Sequence, residues 1–431
     1  MKESSSGAIS RVGRVMCLGA IFLTTGVVGA KAAWAEDPPP PPPPAMDAPP
    51  PAMPMMPPPA AAPPMAAPPS AVAAEVKPPT AAESMPASRP EVLPPIDVGA
   101  WTRIGGLFQN GSDPSKIDDF QMKPVYVELH AGGKIHKKVG VTLNLNSDIG
   151  GYGTSGANTS VQIMDAIVSF DFVDEFHVWA GHLLVPVDRA NASGPFFMIP
   201  WNYPGFFSSV GAGAPKEGPS GRSNGVVVWG DVVSNKLTYL LGVFDNGNVG
   251  TSPLYSGRLR LALWDTEPGF WGNGSFFGDK DILSFGVGGQ FQSHGSSSMT
   301  QDKDWAEVNV DALLEKKIAG GGFFTVEGAY YHFNVLDNGI SDSLYALAAF
   351  ATPTIGVGNI QPMVRYQFEK VKAGTGPNPF NIDAAVSYLI KGPALRLIAT
   401  YSYTKLGTTN PLTGAELSAN SIQLGAQAIF F

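Results

Sequence analysis

The stretch Val139-Gly140-Val141-Thr142-Leu143-Asn144-Leu145-Asn146 decides the fold. Every odd position is apolar and every even one is small or polar. An extended chain with that pattern presents one oily face and one wet face. The same period of two recurs downstream. Leu283, Phe285, Val287 and Phe291 alternate with Ser284, Gly286, Gly288, Gln290 and Gln292. Leu395, Leu397, Ala399, Tyr401 and Tyr403 alternate with Arg396, Ile398, Thr400, Ser402 and Thr404. The last run carries Ile422, Leu424, Ala426, Ala428 and Phe430 on one face and ends at Phe431, one residue out of phase.

Two architectures produce such runs. A soluble sandwich turns the apolar face inward, whereas a membrane barrel turns it to lipid and lines its lumen with the polar face. The runs here are about 9–12 residues long, which suits a tilted strand crossing a bilayer; soluble strands average about 5–6. Aromatics gather near run ends, as in Tyr330-Tyr331 and Phe270-Trp271, where interfacial girdles belong. The pattern predicts an all-β, transmembrane antiparallel β-barrel of about sixteen strands over 96–431. Tight turns such as Val173-Asp174-Glu175 and Lys391-Gly392 alternate with long connectors at 148–160, 186–223, 293–303 and 405–419. Connector 265–281 breaks the order, being long where a short turn belongs. A barrel of this size is expected to hold an aqueous channel rather than a side-chain core.

Two segments precede the barrel. Arg11 and Arg14, an apolar run from Val15 to Val28 and the small-residue site Ala33-Trp34-Ala35 predict a signal peptide over 1–35. The sole cysteine, Cys17, lies inside that run, so cleavage leaves no thiol for disulfides, metal sites or nucleophilic catalysis. Residues 36–95, mostly proline and alanine, predict a disordered periplasmic linker, with contact to a partner or the cell wall as the alternative role. A formal net charge of −8 without a basic block argues against nucleic acid as a partner.

Several stretches then resemble the phosphate-selective porin O and P family. Val178-Trp179-Ala180-Gly181-His182-Leu183-Leu184-Val185-Pro186-Val187 is similar to the strand that enters that family's long third loop. Leu237 through Gly247 resembles its next upward strand, and Gly278-Asp279-Lys280-Asp281-Ile282-Leu283 the opening of its ninth. Asn381 through Tyr403 is similar to its penultimate hairpin. The resemblance covers the barrel and implies a sixteen-stranded homotrimeric porin with its third loop folded into the pore. Connector 186–223 suits that role, with Asp188, Arg189, Phe196, Phe197, Trp201 and Tyr203 as constriction-loop candidates. Family members often carry a lysine where this chain has Leu184.

Alternation assigns Arg258, Arg260, Arg365 and Arg396 to the lumen, together with Glu128, Asp165, Glu307, Asp311, Glu327, Glu369 and Asp383. Arginines facing lipid at the midplane would cost about 2–4 kcal/mol each, which supports that assignment. The wall is mixed in sign rather than basic, and a wet pore selects by the sign of its wall. No enzyme is expected: His130 and His332 face the lumen or a loop, and no serine pairs with either. No metal site is expected, since His177 and His182 are five apart and fall on opposite faces of a strand. Asp245-Asn246-Gly247-Asn248 and Asp337-Asn338-Gly339 read as turns. The expectation is a cofactor-free porin in outer-membrane lipid, passing small solutes or ions, with anions such as phosphate implied by the resemblance. The alternative is a structural barrel, plugged by its loops, that tethers the envelope through the linker.

Overall fold

The computed structural model describes residues 96–110, 117–123, 125–149, 161–204, 221–245, 252–293, 304–333, 340–371, 377–409 and 416–430. The segments expected to be signal peptide (1–35) and linker (36–95), the expected turns at Asn246–Asn248 and Asp337–Gly339, and Phe431 lie outside the described residues.

Almost everything described is strand. The first half holds β1 (Asp97–Asn110), β2 (Ile117–Met122), β3 (Val125–His136), β4 (Val139–Ile149), β5 (Val161–Val173) and β6 (Phe176–Leu184). A one-turn helix, α1 (Arg189–Ser193), precedes β7 (Arg222–Val232), β8 (Leu237–Asp245) and β9 (Leu254–Ala262). The second half holds β10 (Ile282–Gln292), β11 (Trp305–Ile318), β12 (Gly322–Phe333), β13 (Ile340–Ala351) and β14 (Asn359–Val371). It ends with β15 (Phe380–Lys391), β16 (Leu395–Thr409) and β17 (Glu416–Phe430).

Apart from β2 and β3, which both pair with β1, each strand pairs antiparallel with the next, and β1 closes the sheet on β17 with Ala100 opposite Phe430. The upper part of β1 pairs with β2 and the lower part with β3. β2, ending at Met122, and β3, beginning at Val125, are therefore two pieces of one stave, and the seventeen strands of the described residues make sixteen staves. Closure leaves no edge strand among the described residues, the condition for a sheet to stand in hydrocarbon.

Burial alternates along the strands as the sequence does. Leu241, Val243, Leu259, Val287, Val310 and Val364 are exposed on the outside, while Arg260, Ser284, Thr325 and Gln361 are buried on the inside. Phe172, Phe176, Trp264, Phe350 and Phe430 ring the turn side of this apolar band, and Tyr255 and Tyr330 lie toward the loop side. In water such a surface would be an extended hydrophobic liability; in a bilayer it is the lipid-facing wall.

Two expectations need correction. The interior is not uniformly wet: from β5 to β9 it is filled by Ile167, Leu183, Val227, Trp229, Leu240, Phe244 and Phe270, with Trp179 packed against them. Ring stacking of Trp179 on Phe270, at 4.7 Å, and of His177 on Trp229, at 3.9 Å, closes that sector further. His332 faces neither lumen nor loop. It points outward beside β13, 2.9 Å from Asp342, and its neighbours Tyr331 and Phe333 point in.

Candidate pore constriction

The long connector after β6 is described over 185–204 and at Gly221. Asp188 opens α1 from an extended backbone, and its Oδ1 accepts the Asn191 amide at 2.7 Å. Its Oδ2 accepts the Tyr331 hydroxyl of β12 at 2.9 Å, so the cap also ties the loop to the far wall. Burial pushes the Asp188 carboxyl up to about 6, against the Asn191 amide, the Tyr331 hydroxyl and Arg258, which favour its charged form.

Arg189 comes next and is fully buried. Its Nε donates to Asp311 of β11 at 3.1 Å, and its two Nη atoms grip Glu267 at 2.7 and 3.0 Å. The Asn273 carbonyl and the Ser284 hydroxyl accept further bonds at 2.9 and 2.8 Å. A guanidinium carries five N–H groups, and these contacts match that number. Asp311 is shared: Arg258 of β9 donates to its two oxygens at 2.5 and 3.0 Å. Arg260, two residues further along β9, donates to the carbonyls of Glu267, Gly269 and Trp271 at 2.8, 2.6 and 3.1 Å.

Glu267 reaches this cluster from the opposite end of the barrel. Connector 263–281 continues the β9–β10 hairpin through Leu263 and Asp265, bonded to the carbonyls of Leu283 and Asp281, and between them it folds into the lumen. Glu315 of β11 anchors its return, accepting from the Ser275 hydroxyl and from the Phe276 and Gly278 amides at 2.7, 3.1 and 2.8 Å. Burial alone would raise the Glu267 pKa, but the Arg189 and Arg260 guanidiniums outweigh it and hold the carboxyl at about 2.

The two connectors meet inside. Gly274 and Ser275 both donate backbone N–H groups to the Phe197 carbonyl at 3.2 Å, and Gly272 donates to Ala192 at 3.2 Å. Past that point the third loop lies along the other wall. Arg396 donates to the Met198 and Ile199 carbonyls, Gln427 to Phe196 at 3.0 Å, and Arg365 to Asn202 at 2.9 Å. Arg103 donates to the Trp201 carbonyl, with its guanidinium 3.8 Å above the Trp201 ring. Ile199 and Trp201 pack on Leu347, Ala349, Met363, Ala385 and Ile398, while Phe196 and Phe197 meet Trp101 edge-on at 5.3 and 5.7 Å. Tyr203 is half-buried where the described part of the loop ends.

The sequence-derived candidates thus divide. Asp188, Arg189, Arg258, Arg260 and Asp311 form one cluster. Arg365 and Arg396 hold loop backbone on the opposite side, Arg365 also pairing with Asp383 at 2.7 Å. Glu307 lies above the cluster on β11, accepting from Gln290 and Asn309, and Glu369 is buried apart from it on β14. Two residues were missed. Arg103 sits in phase with the inward face of β1, so alternation could have found it. Glu267 lies in the connector whose length was already out of order.

No protein-family model matches the chain, and no curated protein matches it either. Solved structures do. An anion-selective porin from Comamonas acidovorans superposes with a TM-score of 0.53 at 13% identity, covering 78% of this chain and 99% of that one. OprB of Pseudomonas putida gives 0.54 at 10% identity, over 78% and 94% of the two chains. OmpF of Salmonella typhi, solved with daunomycin, gives 0.51 at 10% identity, over 78% and 97%. At such identities the likeness concerns fold. Together with the closed sixteen-stave sheet and its apolar outer band, it gives this chain the fold of a transmembrane β-barrel with the architecture of bacterial porins.

Proposed function

We propose that the chain is a passive porin: small solutes diffuse through the barrel past a constriction formed by the third loop and connector 263–281. The observation that carries this reading is the inward third loop, anchored on both walls by arginines, in a barrel whose interior bears charged and amide side chains. Permeation of this kind requires no cofactor and no covalent step. The constriction is mixed in sign: Arg189, Arg258 and Arg260 are ion-paired with Glu267 and Asp311, and Asp188, Glu327 and Asp231 lie beside them. Such a wall favours small solutes of either sign over a dedicated phosphate path. The homotrimer and the periplasmic spacer role of 36–95 belong to the same reading. Reconstitution in planar bilayers tests it, with discrete, voltage-tolerant current steps as the expected result.

One observation favours a second reading. Gln427, Phe196, Phe197, Ser275 and Glu315 form an unbroken series of contacts from β17 to β11 across the interior. A barrel so bridged suits a structural envelope protein, closed by its own loops and tethered through the linker. Silence in the bilayer experiment from correctly folded protein would favour it.

A further inference from the structure

A short hairpin turn would suffice to join β9 to β10, yet the connector runs from 263 to 281 and carries a carboxylate into the barrel. Glu267 is 3% exposed. It takes two of the Arg189 N–H groups, accepts the Ser284 hydroxyl at 2.9 Å, and lies 3.8 Å from Arg260. Burying a carboxylate this deeply is costly unless cations compensate it, and here two do. The converse holds for the arginines. Arg189, Arg258 and Arg260 crowd one side of the constriction; without Glu267, Arg260 would lose its ion pair and Arg189 would keep only its pair with Asp311.

We propose that Glu267 is a charge-selectivity determinant of this channel: a carboxylate delivered from the turn side that offsets Arg189 and Arg260 of the constriction. The inference rests on the porin reading. Removing the Glu267 charge leaves the cluster around Arg189 and Arg260 one unit more positive. The field of a buried, water-poor cluster is weakly screened, so one unit of charge there biases ions passing nearby. Removing one arginine as well restores the original net charge, which gives the idea a signature that loosened packing would not share.

The experiment is the reversal potential of the full-length porin across a potassium chloride gradient in planar bilayers. Wild type, Glu267→Gln, Arg260→Gln and the double variant are compared, with heat-modifiable gel migration used to confirm folding. Glu267→Gln is expected to lower the cation-to-anion permeability ratio by about threefold, Arg260→Gln to raise it, and the double variant to return it to the wild-type value. Glu267→Asp, which keeps the charge on a shorter arm, is expected to move the ratio less than Glu267→Gln. Equal reversal potentials in conducting wild type and Glu267→Gln would overturn the inference and leave the porin reading standing. A shift in Glu267→Gln that persists in the double variant would also overturn it, because the cause would then be a displaced loop and not charge. Folded wild type that forms no channels would overturn the porin reading itself, and this inference with it.

Discussion

The Arg396 guanidinium lies 2.8 Å from the Met198 carbonyl oxygen, and the same Nη1 reaches Ile199 at 3.0 Å. A wall arginine that alternation assigns to the lumen is thus a clamp on loop backbone. Arg396 is 0% exposed, so Arg396→Ala strips buried carbonyls of their donor and leaves a void beside them. The expected cost is about 2–3 kcal/mol, read as a lower urea midpoint for unfolding in detergent. A larger, noisier single-channel conductance should accompany it. An unchanged midpoint would show that the clamp contributes nothing.

Gly425 on β17 makes room for Trp201. A methyl placed on Gly425 would sit 2.6 Å from the indole ring, closer than side-chain carbons tolerate. Gly425→Val should therefore expel Trp201 from its contact with Arg103 and lift the loop from that wall, at about 1–3 kcal/mol from overpacking. Tryptophan emission should shift to the red as the ring gains water. Emission identical to wild type would mean that the loop does not rest there.

Asp188 gives the constriction a pH dependence. Its carboxyl, raised to about 6 by burial, is charged at pH 7 and protonated at pH 5. Protonation removes one negative charge from the cluster, so selectivity should move toward anions as pH falls, with a midpoint near 6. Asn is as good a helix cap as Asp. Asp188→Asn should accordingly fold, show the anion-shifted reversal potential already at pH 7, and lose the transition near 6. A transition that survives in Asp188→Asn would assign it to another group.

Deletion of 38–95 should leave a barrel that refolds in detergent, because a proline-alanine stretch offers almost no apolar surface to bury. Heat-modifiable migration checks this. Failure of the truncated chain to refold would make the linker part of the barrel's stability.

Much of the fold was legible because a strand repeats every two residues and a lipid-facing wall demands an apolar residue at each repeat. The alternation of β4, β10 and β16 needs no tertiary information. The dry sector was legible in principle as well: Val226-Val227-Val228-Trp229 and Leu240 through Phe244 are apolar on both faces, which a wet lumen does not require. The constriction was harder. Arg258 and Arg260 could be turned inward from pattern alone, but their partners could not be named. Asp311 lies 53 residues from Arg258, and Glu267 lies 78 residues from Arg189 on a connector whose direction no local pattern sets. A turn folds inward when a buried cation waits for it, and that is a property of the assembled barrel.

Single-channel recording of the purified, folded protein in planar bilayers tests the central claim most directly, with a variant in which 196–204 is shortened measured alongside. A passive porin narrowed by its third loop predicts discrete current steps from wild type and larger steps from the shortened variant. Silent wild-type protein, with steps appearing only once the loop is cut, would contradict that account and identify a barrel closed by its own plug.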